Sequence, residues 1–410
     1  MDNKPNILLI EPFIPYPLTN GGAQAIFHGI QAIREEYHVY VLFTSRMGEK
    51  YFHEFEQEIG PDVTLLPYLP VKSARLPLKN RIALSLYYRT GSDRLRVQDP
   101  FEEKTVEPVF SEDFLRYVHE IISKHSISIV QVEMPWVMSI VLGLPQSVKK
   151  VFVHHELRFV RNELELKTYG ENLYRRAAVE LNKIQEIGLL NRYDAIVTLS
   201  ETDKEKLLRE GVNVPVHSSF AIVNTAPKAE EITKMEKTVS FVGPEFHLPN
   251  QKGIQWFLSA CWPRLLEKDP AYQFQIIGNW NETTKTSLAS RYKNIKFLGF
   301  VDHLQEALTN TVMIVPIRIG SGIRMKILEA AANGVPFVST QVGAEGLPFV
   351  SGKECFIADD PDTFVDGILR LQDSALANAF VQTARCRVQT QFSLAALKQN
   401  RCEILKSIIR

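Results

Sequence analysis

The sequence predicts an α/β chain built as two doubly wound domains that face each other across a cleft. Three observations predict it. Short, near-continuous apolar runs open each half, Asn6-Ile-Leu-Leu-Ile10 in the first and Thr238-Val-Ser-Phe-Val-Gly243 in the second. Runs of that kind are strands buried on both faces of a parallel sheet. Helical patterns alternate with such strands throughout, which is the order of βαβ units. The chain also has 410 residues, more than one core usually supports, so two domains are expected.

Bulk composition narrows the class. A hydrophobic content of 45% with 23% charged residues suits an ordinary globular protein. The formal net charge of +0 argues against nucleic acid as the main partner, which demands a basic surface. Cys261, Cys355, Cys386 and Cys402 are scattered and form no paired motif, so they read as reduced thiols of a cytoplasmic protein. Glu11 and several prolines follow the first apolar run at once, which makes it a strand and not a signal segment. No run approaches the roughly 18 apolar residues needed to cross a bilayer.

In the first half, the strand at Asn6 leads into Pro12-Phe-Ile-Pro-Tyr-Pro-Leu-Thr-Asn-Gly21-Gly22, which cannot be helical, and then a helix with Ile26, Ile30 and Ile33 on one stripe. Paired glycines at a helix start let a backbone approach a ligand, and the helix terminus favours an anion. Val39–Phe43 and Val63–Leu66 are further strands, with a charged helix between them near 49–59. Val71–Arg89 carries Lys72, Arg75, Lys79, Arg81 and Arg89 with no acid among them. It reads as a solvated helix face or, second, as a peripheral contact with an anionic lipid surface. After the strand Ser128–Val132, the run Lys150-Val-Phe-Val enters His154-His155-Glu156, placing polar side chains at a strand's carboxyl end, where open α/β sheets bind ligands. One long helical tract follows over about 158–190. The strand Asp194–Leu199 then meets Ser200, an N-cap for the next helix.

The domain joint falls near 220–237, with a first domain over 1–222, a second over 237–390, and a last helix from 391 to 410. The second half repeats the strand–helix alternation through Gln273–Gly278, Ile295–Gly299 and Val312–Pro316. Asn250 stands where it caps the first helix of this half. The most informative stretch is Arg318-Ile-Gly320-Ser321-Gly322-Ile-Arg324-Met-Lys326-Ile-Leu-Glu329, which turns through glycines into a helix ended by Asn333-Gly334 before Pro336. Such a turn offers unpaired N–H groups and a positive dipole end to an anion, and Arg324 and Lys326 add two full charges. Glu329 is placed to accept from a vicinal diol such as a ribose. The alternative is a plain connection between buried strands with its cations in water.

Gly320-Ser-Gly-Ile-Arg-Met-Lys-Ile-Leu-Glu329, with Ala332-Asn-Gly-Val-Pro-Phe-Val-Ser-Thr340 and Gly343-Ala-Glu-Gly-Leu347, resembles the donor-site signature of the family 4 glycosyltransferases of GT-B fold, two Rossmann-like domains across a cleft. The resemblance is strongest over 238–358. It implies that Glu329 holds the nucleotide ribose. The family's first glutamate falls on Ser321, and its arginine after Gly243 falls on Pro244, with Lys252-Gly253 matching a following pair. Arg324 is expected to replace that arginine at the pyrophosphate. The resemblance further implies donor contacts from Gly21 and Gly22, from His154 or His155, from Phe300 and Val301 at the base, and from Gly343. Glu345 faces either the sugar or solvent.

The leading expectation is therefore a retaining glycosyltransferase using a UDP- or GDP-linked sugar and a glycan or lipid-linked acceptor. No His/Cys/Asp set has metal-ligand spacing, so Arg324, Lys326 and Lys252 with the helix start are expected to meet the diphosphate charge, without a metal or other cofactor. The alternatives are a nucleotide-sugar-binding protein without turnover, suggested by Ser321 and Pro244, and a nucleotide-sugar epimerase on the same fold.

Overall fold

A computed structural model of the chain describes residues 4–66, 101, 109–223 and 231–409. The basic stretch 71–89 lies outside the described residues. In the first lobe the strands and helices run β1 (Asn6–Glu11), α1 (Gly21–Ile33), β2 (His38–Phe43), α2 (Phe52–Ile59), β3 (Val63–Leu65), α3 (Glu112–Lys124) and β4 (Ile129–Glu133). They continue through β5 (Lys149–His154), α4 (Arg158–Tyr169), α5 (Leu173–Leu190), β6 (Ala195–Thr198), α6 (Glu201–Arg209) and β7 (Val216–Ser218). All pairings are parallel, in the order β3-β2-β1-β4-β5-β6-β7.

Both faces of this sheet are covered, which is why its strands are apolar at successive positions. Leu9, Val151 and Val153 face the core shared with α1, and Leu8, Ile10, Val132 and Phe152 face the other. Caps fix the helix starts as the sequence suggests: Ser200 Oγ accepts from Asp203 N at 3.1 Å, and Asn20 Oδ1 from Ala23 N at 2.9 Å. The tract expected as one helix over 158–190 is two. Gly170 takes φ +82° and ends α4, and Asn172 Oδ1 then accepts from Arg175 N at 2.8 Å to start α5.

The second lobe runs β8 (Thr238–Val242), α7 (Leu248–Trp256), α8 (Trp262–Lys268), β9 (Gln273–Ile277), α9 (Glu282–Arg291), β10 (Ile295–Gly299), α10 (Leu304–Leu308) and β11 (Val312–Val315). Then come α11 (Met325–Ala332), β12 (Phe337–Ser339), α12 (Gln341–Ala344), β13 (Phe356–Ile357), α13 (Pro361–Arg370), α14 (Ser374–Gln391) and α15 (Leu394–Ile409). Its sheet is also parallel, ordered β10-β9-β8-β11-β12-β13. Strand order reverses at β1/β4 in one lobe and at β8/β11 in the other. Crevices at the carboxyl ends of such pairs are where doubly wound sheets take ligands.

The last helix leaves the second lobe and returns to the first. Leu397, Cys402, Ile404 and Leu405 of α15 are buried, and Cys402 Sγ lies 3.8 Å from Ala32 O of α1. Lys398 pairs with Glu35, and Asn400 Nδ2 donates to Ser218 O at 3.3 Å. Among the described residues all four cysteines are free, and no helix is long and apolar enough to cross a membrane. Because Leu405 is 2% exposed in this strap, Leu405→Ala is expected to lower stability by about 2–5 kcal/mol, read by urea denaturation.

Candidate active site

The stretch from Pro316 to Arg324 crosses the gap between β11 and α11 and lies against the turn between β5 and α4 of the other lobe. Gly322 has φ +78°, and a Cβ there would stand 2.5 Å from His155 O. Only glycine fits that approach. Beside it, Ser321 Oγ donates to Leu157 O at 2.9 Å, a buried bond between the lobes. The position expected to lack a sugar-contacting carboxylate thus carries a lobe-to-lobe hydrogen bond.

Arg324 folds back over the same turn. Its Nη1 donates to Ser321 O and, at 2.8 Å, to Gly322 O, which braces the loop. Its Nε and Nη2 are buried with no partner among the described residues. Burial pushes the guanidinium's pKa down, opposed by the charges of Glu156, Glu345 and Asp203. Lys326 Nζ donates to Asn250 Oδ1 at 2.9 Å and sits 4.4 Å over the Phe241 ring. Burial, then the Arg324 charge, push Lys326 down to about 7, with Glu329 opposing. His247, on the facing loop, is pushed down to about 4 by burial and then by Lys326 and Arg324. Asn250 is not the cap the sequence suggests: it lies inside α7, and its Nδ2 donates to Pro244 O at 2.8 Å, so it ties the loop after β8, next to Gly243, to the cation pair.

The structure therefore brings together Gly243, Asn250, Gly320, Ser321, Gly322, Arg324 and Lys326. It does not bring Lys252 to them. Lys252 lies on another side of α7, 5.9 Å over the Tyr169 ring of α4, in a groove it shares with Lys167, Trp256 and Arg318. Among the described residues it shares no hydrogen bond with Asn250, Arg324 or Lys326.

Across the cleft, Gly21 opens α1 so near the second lobe that a Cβ would meet Met325 Cγ at 2.5 Å. Gly22 lies beside Met134. Gln24, one turn into α1, donates through Nε2 to Glu329 Oε1 at 2.8 Å. Sequence reasoning missed Gln24; its place two residues after the paired glycines was the available signal.

The two histidines part company. His154 is buried on the face opposite α1, with Nε2 2.9 Å from Glu186 Oε1. Glu186 also accepts from Arg158 N and Phe159 N at 3.0 and 2.9 Å, capping α4, which has no side-chain cap of its own. Burial alone would raise the Glu186 pKa; His154, Arg158 and the Phe159 N–H bring it below the usual value. His155 Nε2 lies 2.6 Å from Glu133 Oε2, and its carbonyl abuts Gly322. Glu345 pairs with Lys206 of α6 at 2.7 Å across the lobes and stays partly exposed. Gly343 is buried in the start of α12, its N–H donating to Thr340 Oγ1 at 3.0 Å. Phe300 is exposed and Val301 half-buried just beyond β10.

One Asp-x-Asp tripeptide exists, Asp360-Pro-Asp362. It caps α13: Asp360 Oδ1 accepts from Asp362 N at 3.0 Å, and Asp362 pairs with Arg264. Among the described residues no group of three or more His, Cys, Asp or Glu is arranged to hold a metal ion.

Residues 236–374 match the family model described as glycosyl transferases group 1. That match spans most of the second lobe and about a third of the chain. Whole-chain likeness extends to sucrose-phosphate synthase from Thermosynechococcus elongatus, 16% identical with a TM-score of 0.69 over 99% of each chain. It extends also to HepE from Anabaena in complex with UDP and glucose, 13% identical with a TM-score of 0.65 over 98% of this chain and 99% of that one. At such identities the likeness speaks to the fold, which is GT-B. In sequence, an uncharacterised 44.6 kDa protein of the cps region of Klebsiella pneumoniae is 26% identical over 187 residues, 43% of this chain and 47% of the relative. The chain spans about half the length of that curated relative.

The second lobe meets the first through a residue that tolerates no side chain. Gly322→Ala forces an L residue to φ +78° with its Cβ on a backbone oxygen. The expected loss is about 1–3 kcal/mol in thermal denaturation, with a larger radius of gyration in solution scattering as the lobes part.

Proposed function

We propose that the protein transfers a sugar from a nucleotide diphosphate donor to a hydroxyl of a glycan or lipid-linked acceptor, retaining the anomeric configuration and using no metal. The observation that carries this reading is the cation pair at the glycine turn. Arg324 offers two unpartnered donor nitrogens, and Lys326 stands beside it in a low-dielectric wall at the switch point of the second sheet. A diphosphate leaving group develops negative charge as its bond to the sugar breaks. Fixed N–H donors and cations stabilise that charge without reorganising. Glu329, near the start of the same helix, keeps a second carboxylate oxygen for a ribose hydroxyl while Gln24 holds the first.

The GT-B fold and the family domain support a nucleotide-sugar substrate. HepE in complex with UDP and glucose, and a TarM protein from S. aureus in complex with UDP and alpha-GlcNAc-glycerol, share that fold. Retention is carried over from the family resemblance, and metal independence from the charge that Arg324 and Lys326 supply. A second reading, a nucleotide-sugar-binding protein without turnover, is favoured by Ser321, whose hydroxyl holds the lobes together and leaves no carboxylate at the sugar. Release of free nucleotide diphosphate with acceptor present separates the two readings, and the anomeric coupling in the product decides retention.

Two measurements test the phosphate site. In a thermal-shift panel of UDP- and GDP-sugars, one donor is expected to raise the melting temperature, and Arg324→Ala is expected to abolish the shift. An unchanged shift removes Arg324 from the diphosphate. Proton linkage gives the second. Lys326 is depressed to about 7, so in the free protein it is mostly neutral above that pH. An anion beside it favours the charged form, so binding takes up a proton between about pH 7 and the ordinary lysine value of 10.5. Calorimetry of UDP binding near pH 8 should give enthalpies that vary with buffer ionisation, and affinity should fall as pH rises. Lys326→Met should remove the buffer dependence.

A further inference from the structure

The first lobe has its own polar group at its switch point, and the donor site does not use it. β1 and β4 pair in the register Ile10↔Val132, so Glu11 and Glu133 end neighbouring strands on the same face. Alternation puts Gln131 on that face as well. The pairing Glu133↔Val153 puts His155, two residues beyond Val153, there too, while His154 turns to the opposite face. Glu11 and Glu133 are 0% and 1% exposed. Glu133 Oε1 accepts from Gln131 Nε2 at 2.7 Å, and Glu133 Oε2 lies 2.6 Å from His155 Nε2. Gly29 of α1 packs over Glu133, and Arg401 of α15 is buried within electrostatic reach of it.

Two adjoining buried carboxyls do not both ionise. Glu11 has both oxygens buried with no partner among the described residues, and Glu133 has donors on each oxygen. Burial, then the Glu133 charge, push Glu11 well above the usual carboxylate range, so the proton resides on Glu11. Glu133 has the Gln131 amide on one oxygen and the His155 ring on the other, with the Arg401 guanidinium within electrostatic reach. An ionised acceptor at 2.6 Å holds an imidazole N–H far more firmly than a carbonyl does. His155 is also the residue whose backbone meets Gly322, so its ring stands where the first lobe borders the glycine turn.

We propose that Glu133 is a positioning residue: it holds His155 through Nε2–H and so fixes Nδ1 as the ring nitrogen that His155 presents at the border of the cleft. Glu11 and Arg401 set the charge that lets Glu133 do so. The catalytic consequence rests on the transferase reading given above; the ring orientation does not.

The test has one arm for each. In proton NMR of the whole protein, the His155 Nε2–H should appear as a downfield, slowly exchanging resonance, assigned by its loss in His155→Gln. It should vanish in Glu133→Gln, where a neutral amide replaces the carboxylate, and persist in Glu133→Asp. Absence of the resonance from the native protein, or its survival in Glu133→Gln, overturns the proposal whatever the protein's activity. With a donor identified by the thermal-shift panel, Glu133→Gln should lower kcat roughly tenfold or more while the donor KM stays within about twofold, and Glu133→Asp should recover part of the loss. A rise in donor KM at unchanged kcat would also overturn it, since that pattern belongs to a residue that only shapes the donor pocket. If no donor is turned over yet the resonance behaves as expected, the transferase reading fails and the positioning role stands.

Discussion

The contact on which the rest depends is that between the glycine turn before α11 and the turn after β5. Ser321 Oγ bonds to the Leu157 carbonyl, and Gly322 admits the His155 carbonyl to a distance that no side chain would tolerate. Both partners are backbone groups at the carboxyl end of a buried strand, so neither side can yield without moving its sheet. This contact sets where Arg324 points. The arginine is clamped to Ser321 O and Gly322 O, and its remaining N–H groups take their direction from that clamp.

A single contact of this kind would hold two lobes weakly. It is supported by a series of bonds running outward from it: Gln24 to Glu329, Lys206 to Glu345, and the return of α15 onto α1. The helix strap differs in kind from the others, because it buries Leu397, Cys402, Ile404 and Leu405 and so rests on apolar area. The polar bonds exchange readily with water or with a ligand's hydroxyls. The strap does not, so motion between the lobes would exchange polar contacts at the cleft and leave the helix packed.

The two sheets were legible in the sequence because a parallel strand covered on both faces must be apolar throughout, and little else in a chain looks like Asn6–Ile10 or Val312–Val315. The glycine turn was legible as a turn into a helix, but glycines there serve plain connections equally well, and only the two cations beside them pointed to an anion. The same double burial hid the difference between His154 and His155. With no polar face to alternate against, the run Lys150-Val-Phe-Val does not say which histidine turns to which side. Lys252 and Asn250 show a second limit of the linear view. Two residues apart on a helix is more than half a turn, so neighbours in sequence face different surroundings, and Asn250 meets Lys326 while Lys252 meets Tyr169. The Glu11–Glu133 pair needed the register of two strands more than a hundred residues apart. The break at Gly170 was written in the sequence, in a glycine followed by a capping asparagine.

The charges around the glycine turn support the proposed anion site there. Several carboxylates surround Arg324 and Lys326, but they already have partners. Glu156 is paired with Arg161 at 2.8 Å, Glu345 with Lys206 at 2.7 Å, and Glu329 with Gln24 at 2.8 Å. The protein thus supplies counter-charge near the two cations and commits it elsewhere. Leaving buried guanidinium N–H groups unpaired costs stability, and a second cation beside them adds repulsion, which together with the larger effect of burial pushes the Lys326 pKa down. Both costs are relieved together by one event, the arrival of a doubly charged group with acceptor oxygens. A hydroxyl satisfies one donor and leaves the repulsion in place, whereas a carboxylate can take two N–H groups but brings a single charge. A diphosphate brings both the charge and the acceptor oxygens, and on that match the proposed donor site rests.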